Sequence, residues 1–222
     1  MNTRIANIIS ILGIVALGVF LAVMYSSLPD PLPTHWNAAG EVDGWMSRPA
    51  GTAAFLAIPV FMFILFKLIP VISPRGFRTE SFTGVLNILM TTSVIFGSII
   101  AVGAIRAGLG SDFEMSTFVM VAVGLLLMII GNFLGKVRKN FFIGIRTPWT
   151  LASDEVWAKT HRLGGWCFVF AGLFMAVAAV AAPDIRWIIY VVIGTALIPV
   201  IYSYIAYRRI EGFEPDPPIE EE

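Results

Sequence analysis

The sequence predicts an all-α integral membrane protein with six transmembrane helices and both termini in the cytoplasm. Three observations carry that expectation. Of 222 residues, 57% are hydrophobic and only 14% charged, and the mean hydropathy is +0.82. Soluble domains run about 45–50% apolar and about 25% charged, so these charges cannot solvate a soluble surface. Six separate stretches, 5–27, 52–72, 82–105, 116–134, 165–182 and 186–207, reach the ~20 apolar residues that cross ~30 Å of hydrocarbon. Finally, Lys and Arg fall unequally on the two sides that six spans define.

Residues 1–27 form the first span. Met1-Asn2-Thr3-Arg4 resembles the charged start of a signal peptide. The apolar run behind it is longer than the 7–15 residues typical of such a peptide, and no small-x-small cleavage site follows, so the span is expected to be retained. The loop 28–51 leads out of the membrane. Pro29, Pro31 and Pro33 alternate there, which predicts a stiff polyproline-like arm. Residues 37–40 and Asp43-Gly44 read as turns, and Trp36 and Trp45 suit the headgroup level. Spans two to four occupy 52–134, with Pro59 and Pro70 inside the second.

The loop 135–164 holds most of the remaining polar character. Lys136, Arg138 and Lys139 follow the fourth span, where cations are attracted to anionic lipid. Residues 141–145 form an apolar patch expected at the interface, and Thr147-Pro148-Trp149 reads as a turn. Ser153 can cap a helix whose first turn holds Asp154 and Glu155, favourable against the helix dipole. That helix runs through Trp157 and His161, four apart on one face, toward the fifth span. It admits two readings, a recognition element or an interfacial helix anchored by aromatic and basic groups. Spans five and six fill 165–207, and 208–222 is an acidic, proline-containing tail.

Basic residues are retained on the cytoplasmic side. With the N-terminus inside, the inner segments hold Arg4, Arg75, Arg78, Lys136, Arg138, Lys139, Arg146, Lys159, Arg162, Arg208 and Arg209, while the outer loops hold Arg48, Arg106 and Arg186. Lys67 sits near the inner end of the second span, where its stem can snorkel. The short outer loop after the third span offers only Asp112 and Glu114.

Several function classes are disfavoured by the same residues. Fifteen basic residues balance fifteen acidic ones, so there is no basic field for direct nucleic-acid binding. A lone Cys167 excludes an intramolecular disulfide and a cysteine-rich zinc site. No HExxH, GxSxG or GxxxxGK[ST] occurs, and no pair of carboxylates lies within the spans, so neither an enzyme nor a cofactor is expected. Asn87, Asn132 and the helix prolines, Pro199 included, can help build a cavity or simply pack. A small-molecule or ion transporter is the alternative function, though the intramembrane charges that mark ion pathways are missing. In the outer loop, His35, Glu41, Asp43 and Asp30 are chemically acceptable metal ligands, but their spacing matches no strong motif. An ordered loop packed on helix ends is the competing reading.

Two texts carry a family resemblance. The inner one is Asn140-Phe141-Phe142-Ile143-Gly144-Ile145-Arg146-Thr147-Pro148-Trp149-Thr150-Leu151, followed by Val156-Trp157, Lys159-Thr160-His161-Arg162 and Gly164-Gly165. It resembles the signature of the SdpI family. The outer one, Leu28-Pro29-Asp30, Pro33-Thr34-His35-Trp36, Gly40 and Asp43, resembles an N-terminal domain of unknown function found in longer members. The resemblance implies a multi-pass cell-membrane protein that gives immunity to a secreted, membrane-active toxin peptide. It further implies signalling, in which a transcriptional repressor is held at the membrane. On that basis Asp30, His35, Trp36 and Asp43 are expected on a toxin-facing outer surface. Arg146, Thr147, Pro148, Trp149, Trp157, Lys159, His161 and Arg162 are expected on a cytoplasmic signalling surface. Membrane lipid, the toxin peptide and the repressor are the expected partners.

Overall fold

The computed structural model describes residues 1–37, 40–77, 79–110, 113–181, 184 and 186–213. Arg78, Asp112 and the acidic tail from residue 214 onward lie outside the described residues. Six long helices are each apolar and long enough to cross a membrane. They are α1 (Thr3–Met24), α2 (Arg48–Ile72), α3 (Thr83–Gly108), α4 (Met115–Leu134), α6 (Asp154–Ala181) and α7 (Arg186–Ile210); a short α5 covers Pro148–Ala152. Their outer faces carry exposed Ile, Leu, Val and Phe, as lipid-facing helices must when every backbone polar group is satisfied within the helix.

The outer loop differs from the expected polyproline arm. After a 3-10 turn at Tyr25–Ser27 it folds into a hairpin of β1 (Leu32–Trp36) and β2 (Val42–Met46), antiparallel with an irregular register around His35. The chain does reverse where the turn over 37–40 is expected: the Asn37 N–H donates to the Glu41 carbonyl at 2.8 Å, and the Gly40 N–H to the Asn37 carbonyl at 2.9 Å. Asp43 and Gly44 are instead strand residues. Gly44 is needed because a Cβ there would stand 2.8 Å from the His35 Cβ. Cross-strand pairing outweighs the local preference of Pro-rich text, since β1 also buries Leu32 completely.

The helices form two groups. In the first, α3 packs on α1 and α2. The Asn87 amide donates to the Met1 carbonyl at 3.2 Å and to Thr3 Oγ1 at 2.9 Å, and Ser10 Oγ donates to Thr91 Oγ1 at 3.3 Å. Pro59 of α2 lies against Gly97 of α3. In the second group, α6 packs on α4 and α7. Its central seam is backbone on backbone: a Cβ at Gly124 would lie 2.7 Å from the Gly172 carbonyl oxygen, and one at Gly165 would lie 2.7 Å from that of Gly131. Such small-residue seams let membrane helices approach closely where no hydrophobic force drives them together. The α3–α4 contact joins the groups.

At one end, Ile69 of α2, Phe82 and Leu86 near the start of α3, Val137 and Trp157 form a single apolar cluster. The N-terminal ammonium donates to the Gly84 carbonyl at this end as well. At the opposite end, Leu28 and Leu32 of the hairpin region pack with Leu17, Leu21, Phe55, Ile105 and Met115.

Candidate functional site: a hairpin-capped cavity and a buried signature segment

At the hairpin end, a cavity of about 540 Å³ runs between α2, α3 and α4, beneath Thr34, His35 and Trp36. Its walls include Phe55 and Met62 of α2, Ser93 and Ala104 of α3, and Val119 and Ile130 of α4. Along α4 the lining spans Met115 to Ile130, which at 1.5 Å per residue places its far end ~20 Å from its mouth. Among the described residues its lining contains no Asp, Glu, Lys or Arg. It can therefore receive an apolar segment and offers hydroxyls, an indole and an imidazole at its rim.

The four residues expected on the outer surface take different places. His35 and Asp43 are exposed and joined, Nδ1 to Oδ1 at 2.5 Å. Trp36 is half-buried against the core at this end and lines the cavity. Asp30 acts structurally, its Oδ1 accepting the Arg48 N–H at 3.1 Å. Helix α2 begins there without a side-chain cap from Ser47, and a carboxylate on its first N–H groups satisfies both a donor and the dipole. Glu41 accepts from the Asn37 amide at 3.1 Å. Among the described residues no group of three or more His, Cys, Asp or Glu side chains is placed to hold a metal.

At the other end, the signature segment is ordered by its own polar side chains. Asn140 is fully buried. Its amide donates to the carbonyls of Arg138 at 2.8 Å and Ile143 at 3.0 Å, while its Oδ1 accepts the N–H groups of Phe142 at 2.8 Å and Ile143 at 2.7 Å. Thr147 caps α5 in a reciprocal box with Thr150, so the expected turn is a short helix. Thr147 Oγ1 also meets Ser203 Oγ of α7 at 3.0 Å. Ser153 does cap the next helix, its Oγ accepting the Val156 N–H at 3.3 Å. That helix is continuous with the fifth span.

The eight residues expected on a signalling surface divide by burial. Trp157 is buried and donates its indole N–H to the Val137 carbonyl at 2.7 Å. His161 is fully buried and stacks on Trp157 with ring centroids 4.0 Å apart. Its Nε2 accepts the Ile145 N–H at 3.0 Å, so the proton sits on Nδ1 and goes to the Trp157 carbonyl at 2.9 Å. The neutral imidazole thus splices residues 143–146 onto α6. Gly144 permits this with φ +114, and any Cβ there would collide with the imidazole. Trp149 sets its ring edge-on to Tyr204 at 5.1 Å. Arg146, Pro148, Lys159 and Arg162 are exposed. Lys159 pairs with Glu155 at 2.7 Å, and Arg146 donates to the Phe141 carbonyl. Within the apolar run 141–145, Phe142 and Ile143 lie on the Trp157 cluster, while the exposed Phe141 ring meets Phe77 at 4.0 Å. Sequence reasoning assigns no separate role to Asn140, Thr150 or Ser203. The first two lie in a polar run whose partners are local, whereas Ser203 is 56 residues from Thr147.

Six apolar helices with an ordered cap at each end define a multi-pass cell-membrane protein. Residues 136–205 match the model of the SdpI/YfhL protein family, and residues 11–63 match DUF1648, a domain of unknown function. The two matched segments contain the two texts that carry the family resemblance. It is 26% identical over 208 residues to the "Immunity protein SdpI" of Bacillus subtilis (strain 168), covering 93% of this chain and 98% of that protein. No solved structure matches it. The DUF1648 match spans most of α1, the hairpin and much of α2. The SdpI match holds the signature segment, α6 and most of α7. The cavity lies where the first group meets α4.

Proposed function

We propose that this chain is a membrane immunity protein that protects its cell against a secreted, membrane-active toxin peptide. The observation that carries the reading is the similarity to an immunity protein across nearly the full length of both chains. The cavity supports it, because an apolar, hairpin-rimmed opening suits an apolar peptide segment, and among the described residues its lining holds no Asp, Glu, Lys or Arg of the kind that marks an ion pathway. In this reading the hairpin end faces outward, and the end bearing the N-terminus and signature segment faces the cytoplasm, the side that the Lys and Arg distribution favours.

The finer part of the reading is signalling. A peptide held beneath the hairpin shifts the α3–α4 arrangement only as far as it binds one state better than the other. Arg146, Pro148 and Lys159, exposed at the opposite end, then form the surface on which a transcriptional repressor is held.

The test is survival. The chain is expressed in a sensitive strain lacking its own immunity protein and challenged with the purified toxin peptide, at matched membrane abundance. Protection is expected, and joint replacement His35→Ala with Asp43→Ala is expected to raise sensitivity. Death of cells at full abundance of the unmodified chain overturns the reading. Unchanged protection by the double variant removes the hairpin pair from it.

A further inference from the structure

The glycine seam that brings α4 and α6 together also leaves room at its end. A cleft of about 280 Å³ opens there, lined by Gly131, Asn132, Lys136, Arg162, Gly165 and Trp166, among others. Lys136 and Arg162 are both exposed, and among the described residues neither forms an ion pair. Two nearby lysines are paired, Lys139 with Asp154 at 2.7 Å and Lys159 with Glu155 at 2.7 Å. Lys136 instead lies over the Phe133 ring, 5.0 Å from its centre. Two unpaired cations at one cleft repel each other, and an anion bound between them removes that cost.

The surroundings indicate the source of the anion. The wall of the cleft continues into Trp166, which is 59% exposed and stacks on Phe170 with centroids 5.8 Å apart. Phe170 in turn belongs to the exposed apolar face of α6. A ligand with its phosphate between Lys136 and Arg162 therefore has apolar surface immediately beside it, along the helix. Asn132 adds an amide for a glycerol or ester oxygen.

The structure assigns this cleft to the phosphate of an anionic phospholipid, seated between α4 and α6 with an acyl chain along Trp166 and Phe170. Basic pockets between membrane helices on the cytoplasmic side bind such headgroups by the same charge chemistry. The assignment is separate from toxin protection, since the cavity beneath the hairpin is walled by α2, α3 and α4, whereas this cleft is lined by residues of α4 and α6 and the turn after α4.

The test uses the full chain in detergent, with lipid retention read by native mass spectrometry and melting temperature read in parallel. Phosphatidylglycerol and cardiolipin are added in separate arms, with phosphatidylcholine and inorganic phosphate as comparators. Anionic lipid is expected to stay bound and raise the melting temperature, while phosphatidylcholine and inorganic phosphate do neither. Lys136→Gln with Arg162→Gln is expected to lower retention about tenfold or more, from roughly 1 kcal/mol per charge at the surface. Arg138→Gln, which removes a charge outside the cleft, keeps full retention, as does the charge-preserving Lys136→Arg with Arg162→Lys. Equal retention of phosphatidylcholine by the unmodified chain overturns the assignment. So does stabilisation by inorganic phosphate alone, or equal loss in Arg138→Gln and the double variant.

Discussion

Gly131→Val is expected to deplete the folded protein from the membrane and to lower the melting temperature of what remains. A Cβ at residue 131 would stand 2.6 Å from the Gly165 carbonyl oxygen and 2.8 Å from both the Phe168 Cβ and the Val169 nitrogen. Close C···O contacts across helix interfaces lie at about 3.3–3.6 Å, so α4 and α6 must separate by close to an ångström. Two of the three obstacles are backbone, which no side-chain rotation relieves. Separation also loosens the second crossing at Gly124 and Gly172, one heptad along each helix. Overpacking costs about 1–3 kcal/mol and occasionally more, and this site belongs at the upper end. Gly18→Ala is the matched control, because its added Cβ meets only Leu56 Cδ1, at 3.9 Å. Equal abundance and melting for Gly131→Val and the unmodified chain would show that the seam is not tight.

Asn140→Ala is expected to have the second large effect, on the fold of the signature segment. The side chain makes four hydrogen bonds to backbone groups of residues 138–143, and it is fully buried. Alanine leaves two N–H groups and two carbonyls to find other partners, and each buried group left unsatisfied costs about 1–3 kcal/mol. These costs do not add fully, because the segment can relax toward water. A loss of about 3 kcal/mol is nonetheless expected, with proteolysis of residues 138–147 as its local readout. Arg138→Ala, an exposed side chain of the same segment, should leave both melting and proteolysis unchanged. If Asn140→Ala melts with the unmodified chain, the segment is held by its apolar contacts to Trp157 rather than by the asparagine.

The spans were legible because hydrocarbon imposes one requirement on all of them, a long apolar run. The start of α6 was legible too, since a Ser cap followed by two carboxylates is a local signal. The hairpin was not. Its strands are specified by burial of Leu32 against helices far along the chain and by the fit of Gly44 against His35 on the other strand, while Pro29, Pro31 and Pro33 argued locally for an extended arm. The site residues divide along the same line. Trp157 and His161 share a helix face, as the spacing of four requires, yet which way that face points depends on Val137 and Ile145 across the fold. Composition alone presents Trp, His, Arg and Lys as one surface. The structure buries the two rings and exposes the two cations. Asp30 likewise reads as one more polar loop residue until the first N–H groups of α2 are placed beside it.

The cavity beneath the hairpin is the centre of the functional reading, and filling it tests that reading most directly. Ser93 lines the cavity, and Ser93→Phe places a ring in the space proposed for the toxin. Ile99 lines a separate groove on the other side of the α3–α4 contact, so Ile99→Phe adds bulk to the same helix without entering the cavity. The measurement is survival under toxin challenge for both variants and the unmodified chain, at matched membrane abundance. Protection lost with Ser93→Phe and kept with Ile99→Phe is the result expected. Full protection by Ser93→Phe would contradict the account, because immunity would then not depend on this cavity.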